Sequence, residues 1–365
     1  MTRPGPATAL VLVLFALAAS CAPTVPPPRA AAAIPKLSLL GAGPLVIPSR
    51  TRVDGLRVGG LSAIVRAPDG SWLAVVDNEG DTPARVFRLG FAVGEDGAVR
   101  ERKDRRVARE AIRLEGLDGQ HLDGNNFDGE GIALDSSGRL LVSSETEPSI
   151  RQFSPAGKLL ATLQVPPFFL AAKGRGTRGN QGFESLTLEP GGDVLWTANE
   201  RALQQDAPDD PAKPSPVRLL RYERRGETFA PAAQYVYEVE PIAQPPGQGF
   251  AVRGLAELLA VPGGDLLALE REFVAGRGMR IQLFLVSPAG ATDVSGFDSL
   301  AGQSWTPARK TLLYDFADAG FVPDNIEGLA WGPPLPDGSR TLVLVSDNNF
   351  ELVQQTQIVA LRWIE

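Results

Sequence analysis

The chain has 365 residues, of which 43% are hydrophobic and 22% charged, so it can bury a sizeable core in one large domain or two small ones. Its formal net charge is −7 and it has no basic tract, which argues against a nucleic-acid partner. One cysteine and one histidine exclude an intrachain disulfide framework and a zinc site with several His or Cys ligands. The 43 Asp and Glu residues are therefore the most plentiful source of chemistry.

Residues 1–21 have the pattern of a secretory signal. Arg3 gives a charged start, and the apolar run that ends at Ala18 is too short to span a bilayer with ease. The small residues directly before Cys21 resemble a bacterial lipobox, which predicts that Cys21 is lipidated and becomes the mature N-terminus. The alternative is an ordinary cleavage site beside a chance cysteine.

The lipoprotein interpretation predicts an exported protein of the periplasm or cell envelope that contacts the membrane only through its lipid anchor. Residues 22–36 are rich in Pro and Ala and would form an extended tether. The folded domain would then comprise residues 37–365.

One unit repeats along this domain. Each copy has an alternating apolar strand, a turn that contains Gly and a second apolar strand that ends in polar residues. No amphipathic helix of convincing length occurs, so we predict an all-β fold, a β-propeller of five four-stranded blades, with room for a sixth in the longer gaps. The fifth unit lacks a strand, which residues 37–47 would supply to close the ring. The five copies begin with the stretches 60–65, 130–134, 184–188, 255–261 and 327–331.

Equivalent positions of successive blades meet around the axis of a propeller. Glu130, Glu184 and Glu327 share one such position, which Ser62 and Ala256 occupy in the other two units. The second strands end in a further set of acids, namely Asp77, Glu145, Glu200, Glu270 and Asp347. Carboxylate oxygens without His or Cys suit a hard cation, and we predict a Ca²⁺ site. The predicted ligands are Glu130, Glu184, Glu327, Asp347 and Asp77.

Carboxylates gathered in this way raise one another's pKa unless a cation or basic side chains offset their charge. The candidate basic partners are Arg178, Arg201, Arg271 and Arg309 or Lys310. For any single acid, a solvated strand end or a cap on backbone amides is the alternative interpretation. The Asp-, Asn- and Gly-rich loop 118–130 does not match an EF-hand, and we interpret it as a flexible loop with His121 on its surface. The alternative role for His121 is a general acid or base over the channel.

Seven segments carry a family resemblance. They read DGEGI at 128–132, GNQGFESL at 179–186, LALERE at 267–272, ATDV at 291–294, KTLL at 310–313, NIEGL at 325–329 and SDNNF at 346–350. In this order they resemble the secreted bacterial phytase-like proteins, the family called "esterase-like activity of phytase". The resemblance implies an exported propeller that acts on a small-molecule phosphate ester or another ester. Two departures are Gln181, where a basic residue is expected that Arg178 would replace, and Glu257, one place from the shared glutamate position.

Three functions fit these residues. The first is a Ca²⁺-dependent phosphoesterase, with Glu130, Glu184 and Glu327 as ligands or one of them as general base. In that scheme Arg178, Arg271 and Lys310 bind the substrate and steady the charge that develops on it. The second is a non-enzymatic cell-envelope scaffold or ligand-binding propeller with a structural ion. The third is a lactonase-type hydrolase, which does not need the phosphate-binding arginines.

Overall fold

The computed structural model describes residue 1 and residues 33–77, 79–102, 107–242, 249–318 and 320–365. The predicted signal segment, the lipidation site Cys21 and most of the tether lie outside these residues. Pro35–Glu365 forms one compact unit. Within the described residues, helix is limited to two short 3-10 segments, Pro167–Phe169 and Phe316–Asp318. No helix in this part of the chain is long and apolar enough to cross a membrane.

The chain begins its fold with a long strand and a small hairpin, followed by the first blade. These elements are β1 (Lys36–Ile47), β2 (Arg52–Val53), β3 (Leu56–Arg57), β4 (Leu61–Arg66), β5 (Trp72–Val76), β6 (Arg85–Leu89), β7 (Phe91–Val93), β8 (Val99–Glu101) and β9 (Ala108–Arg113). The sheet order β4-β5-β6-β9 is the first blade, and β7 and β8 form a separate two-stranded ribbon.

The other four blades follow in chain order. Blade 2 comprises β10 (Gly129–Leu134), β11 (Leu140–Ser144), β12 (Ser149–Phe153) and β13 (Leu159–Thr162). Blade 3 comprises β14 (Phe183–Leu188), β15 (Val194–Asn199), β16 (Ser215–Arg225) and β17 (Thr228–Val239). Blade 4 comprises β18 (Ala251–Val261), β19 (Asp265–Val274), β20 (Gly278–Ser287) and β21 (Arg309–Asp315). Blade 5 contains β22 (Asn325–Trp331), β23 (Arg340–Asp347) and β24 (Thr356–Ile364).

The N-terminal strand completes blade 5, whose order is β1-β24-β23-β22. β1 pairs antiparallel with β24, from Lys36 opposite Ile364 to Ile47 opposite Thr356. The predicted closure and the count of five four-stranded blades are therefore confirmed, and no sixth blade is found among the described residues. Closure covers the edge of β24 that would otherwise be free to pair with another chain.

The first strand of each blade is the innermost one. β4, β10, β14, β18 and β22 contact one another in turn, and β22 returns to β4. Their close approach depends on the small residue that follows the repeated glutamate. A Cβ atom on Gly131 would lie 2.4 Å from the backbone nitrogen of Leu186, and one on Gly328 would lie 2.9 Å from Cα of Ala63. This packing explains why Gly recurs in the repeat.

Apolar side chains fill the space between neighbouring blades. Trp196 and Leu219 of blade 3, for example, pack in one buried cluster with Leu255 and Phe284 of blade 4. At one end of the axis, apolar residues of all five inner strands line a cavity of about 160 Å³, with Leu134 and Trp331 among them. The opposite end is polar and holds the candidate site.

Candidate functional site

A register shift, or β-bulge, interrupts the inner strand of every blade at the same place. In blade 3, for example, Phe183 pairs with Asn199 and Ser185 with Ala198, so Glu184 has no partner of its own. The five bulges fall at Ser62, Glu130, Glu184, Ala256 and Glu327. These are the five positions that the repeats made equivalent. A bulge re-aims the side chain of its extra residue, which explains how a strand residue can point at the axis.

The second strands add one further position per blade. In every blade, the residue before the bulge pairs with a residue of the second strand. The further position is the next residue along that second strand. The five residues are Asp77, Glu145, Glu200, Arg271 and Asp347. Of the ten positions, seven hold acids, and we call these seven the carboxylate ring: Asp77, Glu130, Glu145, Glu184, Glu200, Glu327 and Asp347.

Blade 4 departs from the sequence-based prediction. Glu270 was expected at the strand end, but it pairs with Leu255 and the next residue, Arg271, takes the ring position. Because side chains alternate along a strand, this shift of one residue turns Glu270 away from the axis. Its carboxylate instead accepts hydrogen bonds from Tyr237 at 2.6 Å and from Arg253 at 2.7 Å.

One half of the carboxylate ring consists of acids packed against acids. The carboxylate oxygens of Asp77, Asp128 and Glu130 lie within 4.8 Å of one another, and so do those of Glu130, Glu145 and Glu184. Glu130 belongs to both groups and is 5% exposed. Burial, followed by the charge of Glu145, raises the pKa of Glu184 well above its ordinary value.

The other half of the carboxylate ring contains Arg271. Its guanidinium lies 2.7 Å from Oε1 of Glu327 and 3.2 Å from Oε1 of Glu200. Asn325 holds this pair in place, since its Oδ1 accepts a bond from Arg271 at 2.8 Å and its Nδ2 donates to Glu327 at 3.0 Å. Burial alone would lower the pKa of Arg271, but the surrounding carboxylates, Glu327 first, raise it instead.

The two halves differ in how strongly they hold protons. Burial, followed by the charge of neighbouring acids, raises the pKa of Glu130, Glu145 and Asp77 well above the ordinary range. Burial also raises the pKa of Glu327 to about 8 and that of Asp347 to about 6, although Arg271 opposes both shifts. An environment that favours protons on several carboxylates equally favours a bound cation, which offsets the same repulsion.

The residues fit a hard cation on two further observations. Oε2 of Glu145 and Oδ2 of Asp347 are buried and have no hydrogen-bond partner among the described residues. Buried polar atoms nearly always have a partner, so these two oxygens point to a ligand. The donor set is entirely oxygen, which Ca²⁺ prefers over the softer metals. Buried acidic groups here could therefore bind a metal.

The predicted basic residues do not all reach this site. Lys310 lies on the outer strand β21, where its Nζ is 2.8 Å from Glu240 and 3.0 Å from Glu270. The prediction that it lies beside the shared glutamates is wrong, because the outermost strand of a blade faces away from the axis. Arg201 forms an ion pair of 2.7 Å with Asp209. Arg309 is exposed on the same outer strand as Lys310.

Arg178 lies at the entrance to the site rather than in the carboxylate ring. Its Nε donates to the carbonyl of Ala202 at 3.1 Å, which fixes the guanidinium at the wall of a cleft. This cleft has a volume of about 940 Å³ and is lined by Glu200, Arg271 and Asn325 as well. It opens on the Arg271 half of the carboxylate ring.

The structure also places Glu257 and His121. Glu257 accepts hydrogen bonds from the amides of Leu186 at 3.2 Å and Leu258 at 2.9 Å, so it joins blades 3 and 4 and adds no carboxylate to the ring. His121 is half-exposed in its loop, 3.9 Å from Glu115.

Sequence reasoning missed two members of the site. Asp128 contributes to the carboxylate cluster, and Asn325 positions the Arg271–Glu327 pair. Both residues lie two places before a repeated glutamate, Glu130 and Glu327 respectively. This shared spacing before a repeated glutamate was the signal that could have found them.

Comparison with known proteins adds a family and one relative. A model of the family "Phytase-like: Esterase-like activity of phytase" matches residues 56–350. A protein of Arthroderma benhamiae named "Uncharacterized secreted protein" is 27% identical over 181 residues, which cover 42% of this chain. The match spans 35% of that relative's length.

Solved structures show only distant likeness. An α-L-arabinanase of Penicillium chrysogenum has a TM-score of 0.40 and 13% identity, with 83% of this chain and 79% of that chain covered. A virginiamycin B lyase of Staphylococcus aureus has a TM-score of 0.33 and 11% identity, with 90% and 99% covered.

Proposed function

This chain belongs to the phytase-like family, and on that premise we propose that it is a Ca²⁺-dependent hydrolase of a phosphate ester or another ester. One observation carries the proposal. The buried Oε2 of Glu145 has no hydrogen-bond partner among the described residues, and it lies in the cluster of carboxylates next to the half of the ring that contains Arg271. Such a cluster needs a counter-ion, and an arginine near it can bind an anionic substrate.

The proposed ligands come from several blades. Asp77, Glu130 and Glu184 would hold the cation together with Glu145, while Glu327 and Asp347 approach it from the Arg271 side. When bound, Ca²⁺ would neutralise substrate oxygens and lower the pKa of a coordinated water. The remaining steps depend on the side chains of the chain itself.

Glu327 is the best candidate for the general base. In the metal-free chain burial raises its pKa to about 8, and a bound cation would lower it towards neutral pH, the range in which a base both accepts and returns a proton readily. It would take a proton from the attacking water as the water oxygen bonds to phosphorus or to the carbonyl carbon. The bond to the alcohol oxygen then breaks, and Glu327 returns the proton to the leaving alcohol.

Arg271 and Arg178 would orient the substrate. Arg271 and Arg178 both line the cleft, so an anionic group bound there would have two guanidinium groups available to it. Arg271 already spans Glu200 and Glu327, and those contacts fix its direction before a substrate arrives. A lactonase-type reaction would need no such arginines, so their presence favours a phosphate ester.

Export is part of the proposal. The name of the relative of Arthroderma benhamiae supports it, as does the signal-like segment 1–21. We further propose a cell-envelope location with lipidation of Cys21. Contact with the membrane would then be made through that anchor.

A non-enzymatic propeller with a structural ion is the second candidate. The depth of the carboxylate cluster favours it, since Glu145 is only 2% exposed and a substrate must reach the ion to react there. In that case the ion would stabilise the fold and the cleft would bind a ligand without turnover.

Hydrolysis assays separate the two candidates. A phosphomonoester, a phosphodiester and a short-chain carboxylic ester would be incubated with the mature chain, with Ca²⁺ or with chelator. We expect Ca²⁺-dependent turnover that Glu184→Gln lowers by about a hundredfold or more, the size of effect seen when an electrostatic catalytic group is removed. Glu257→Gln is the matched control, because it is a buried inner-strand acid outside the carboxylate ring. No turnover of any ester, with chelator lowering only the melting temperature, would establish the structural-ion alternative.

A further inference from the structure

Blade 4 extends beyond the other blades at the carboxylate end of the axis. Its inner strand begins at Ala251, five residues before its bulge at Ala256. The inner strand of blade 1 begins at Leu61, one residue before its bulge at Ser62. The extension pairs Ala251 with Val274 and Val252 with Phe273. It continues into the turn before β20, where Phe273 pairs with Met279. This hairpin forms one side of the cleft above Arg271.

The two faces of the extended hairpin differ in chemistry. On one face Arg253 binds Glu272 at 3.1 Å, and Arg280 of the neighbouring strand binds Asp315 at 2.8 Å. The other face, which lines the cleft, carries Val252, Phe273 and Met279. We call these three residues, together with Phe250 at the start of the hairpin, the apolar wall. Strand alternation separates the faces, so the ion pairs cannot cover the apolar side chains.

The side chains of the apolar wall face solvent across the cleft. Phe250 is 66% exposed, and Val322 and Val353, which line the same cleft, are 83% and 89% exposed. Exposed apolar residues that line one concave surface indicate a ligand or partner site more than scattered ones do. The volume of about 940 Å³ lies in the range of sites for small organic ligands.

We propose that this cleft binds an amphiphilic ester, with its aryl or alkyl group on the apolar wall and its ester group at Arg271. The inference deepens the proposed hydrolase function and depends on it. Arg271 and Asn325 supply polar groups where the cleft meets the carboxylate ring, and the apolar wall, Val322 and Val353 supply hydrophobic surface in the same cleft. A substrate that is polar throughout would leave that surface in water and gain nothing from it.

Binding of phosphonates, which cannot be hydrolysed, tests the inference without turnover. Isothermal titration calorimetry in Ca²⁺ would compare octylphosphonate with methylphosphonate on the mature chain. We expect the octyl compound to bind at least about tenfold more tightly, because methylene groups placed in an apolar site add affinity stepwise. Phe250→Ser and Val353→Ser should each remove most of that difference and leave methylphosphonate binding unchanged.

Leu312→Ser is the matched control. Leu312 is 48% exposed on the outer strand β21 of the same blade and does not line the cleft. Equal affinity for the two phosphonates, or an equal loss in the Leu312 variant, would overturn the inference. So would a change in oligomeric mass in Phe250→Ser without any phosphonate binding, since the wall would then be covered by a second copy of the chain.

Two outcomes separate this inference from the hydrolase proposal. If esters are hydrolysed with kcat/KM values independent of chain length, the hydrolase proposal stands and the amphiphile inference fails. If octylphosphonate binds through the apolar wall but no ester is hydrolysed, the hydrolase proposal fails and a binding site for amphiphilic anions remains.

Discussion

The guanidinium of Arg271 lies 2.7 Å from the carboxylate of Glu327, although one residue belongs to the second strand of blade 4 and the other to the inner strand of blade 5. This pair joins the two blades at the axis. It also divides the carboxylate ring into a half that is neutralised by an arginine and a half that is not. The second half is where a cation is expected.

Replacement of Arg271 by Ala should destabilise the metal-free protein by about 3 kcal/mol or more, because a buried ion pair that loses one partner leaves an unpaired charge. Arg280→Ala should cost less than about 1 kcal/mol, since that arginine is partly exposed in its pair with Asp315. Urea denaturation of both variants in chelator measures the difference. Equal losses of unfolding free energy in the two variants would contradict the view that Arg271 offsets the charge of the buried acids.

Glu145→Gln should have opposite effects with and without calcium. In chelator the variant should melt at the same temperature as the unmodified chain or higher, because it removes a buried carboxylate that repels Glu184 and Glu130. In Ca²⁺ it should lose most of the stabilisation that the ion gives, because a ligand is missing. Thermal unfolding in both conditions checks this, with Glu257→Gln as the matched buried control. A variant that melts lower in chelator would argue against repulsion in the cluster.

The metal-free protein should lose stability as the pH rises from about 5 to 8. Glu327 and Asp347 have folded pKa values of about 8 and about 6, above their ordinary values of 4.5 and 3.8. In that window the folded state binds more protons than the unfolded state, so the free energy of unfolding falls as pH rises. Glu327→Gln should reduce the slope. Saturating Ca²⁺ should increase the free energy of unfolding over that of the metal-free protein, and this increase should grow with pH. An increase that is constant with pH would contradict the prediction.

Gly131→Ala should destabilise the fold by about 1–3 kcal/mol, the usual cost of overpacking. The added Cβ would lie 2.4 Å from the backbone of blade 3, which cannot move as a side chain can. Gly191→Ala is the control, because nothing lies within 4 Å of its Cβ position. Denaturation midpoints of the two variants should differ clearly. Similar midpoints would mean that the inner strands can separate without cost.

Much of the architecture could be predicted because its signals are local. Alternating apolar strands and Gly-containing turns identified five blades, and the missing strand of the fifth identified the closing role of residues 37–47. The equivalence of Glu130, Glu184 and Glu327 could be predicted for the same reason. Each glutamate lies at the same position of its copy of the motif, where the structure has a bulge.

The rest depended on contacts between distant residues. Which of Glu270 and Arg271 faces the axis is decided by a shift of one residue in strand pairing, and the sequence around them does not reveal that shift. Lys310 was misplaced because its position on the outer strand of a blade is set by the whole sheet. Asn325 acts by bridging Arg271 and Glu327, a contact made across two blades.

Calcium binding to the carboxylate ring is the central claim, and equilibrium titration measures it most directly. Isothermal titration calorimetry of Ca²⁺ into the chelator-treated mature chain should show at least one tightly bound ion per chain. Glu130→Gln should weaken binding by about a hundredfold, since Glu130 belongs to both acidic groups, while Glu257→Gln should leave it unchanged. Absence of binding, or equal binding by the Glu130 variant, would contradict the account.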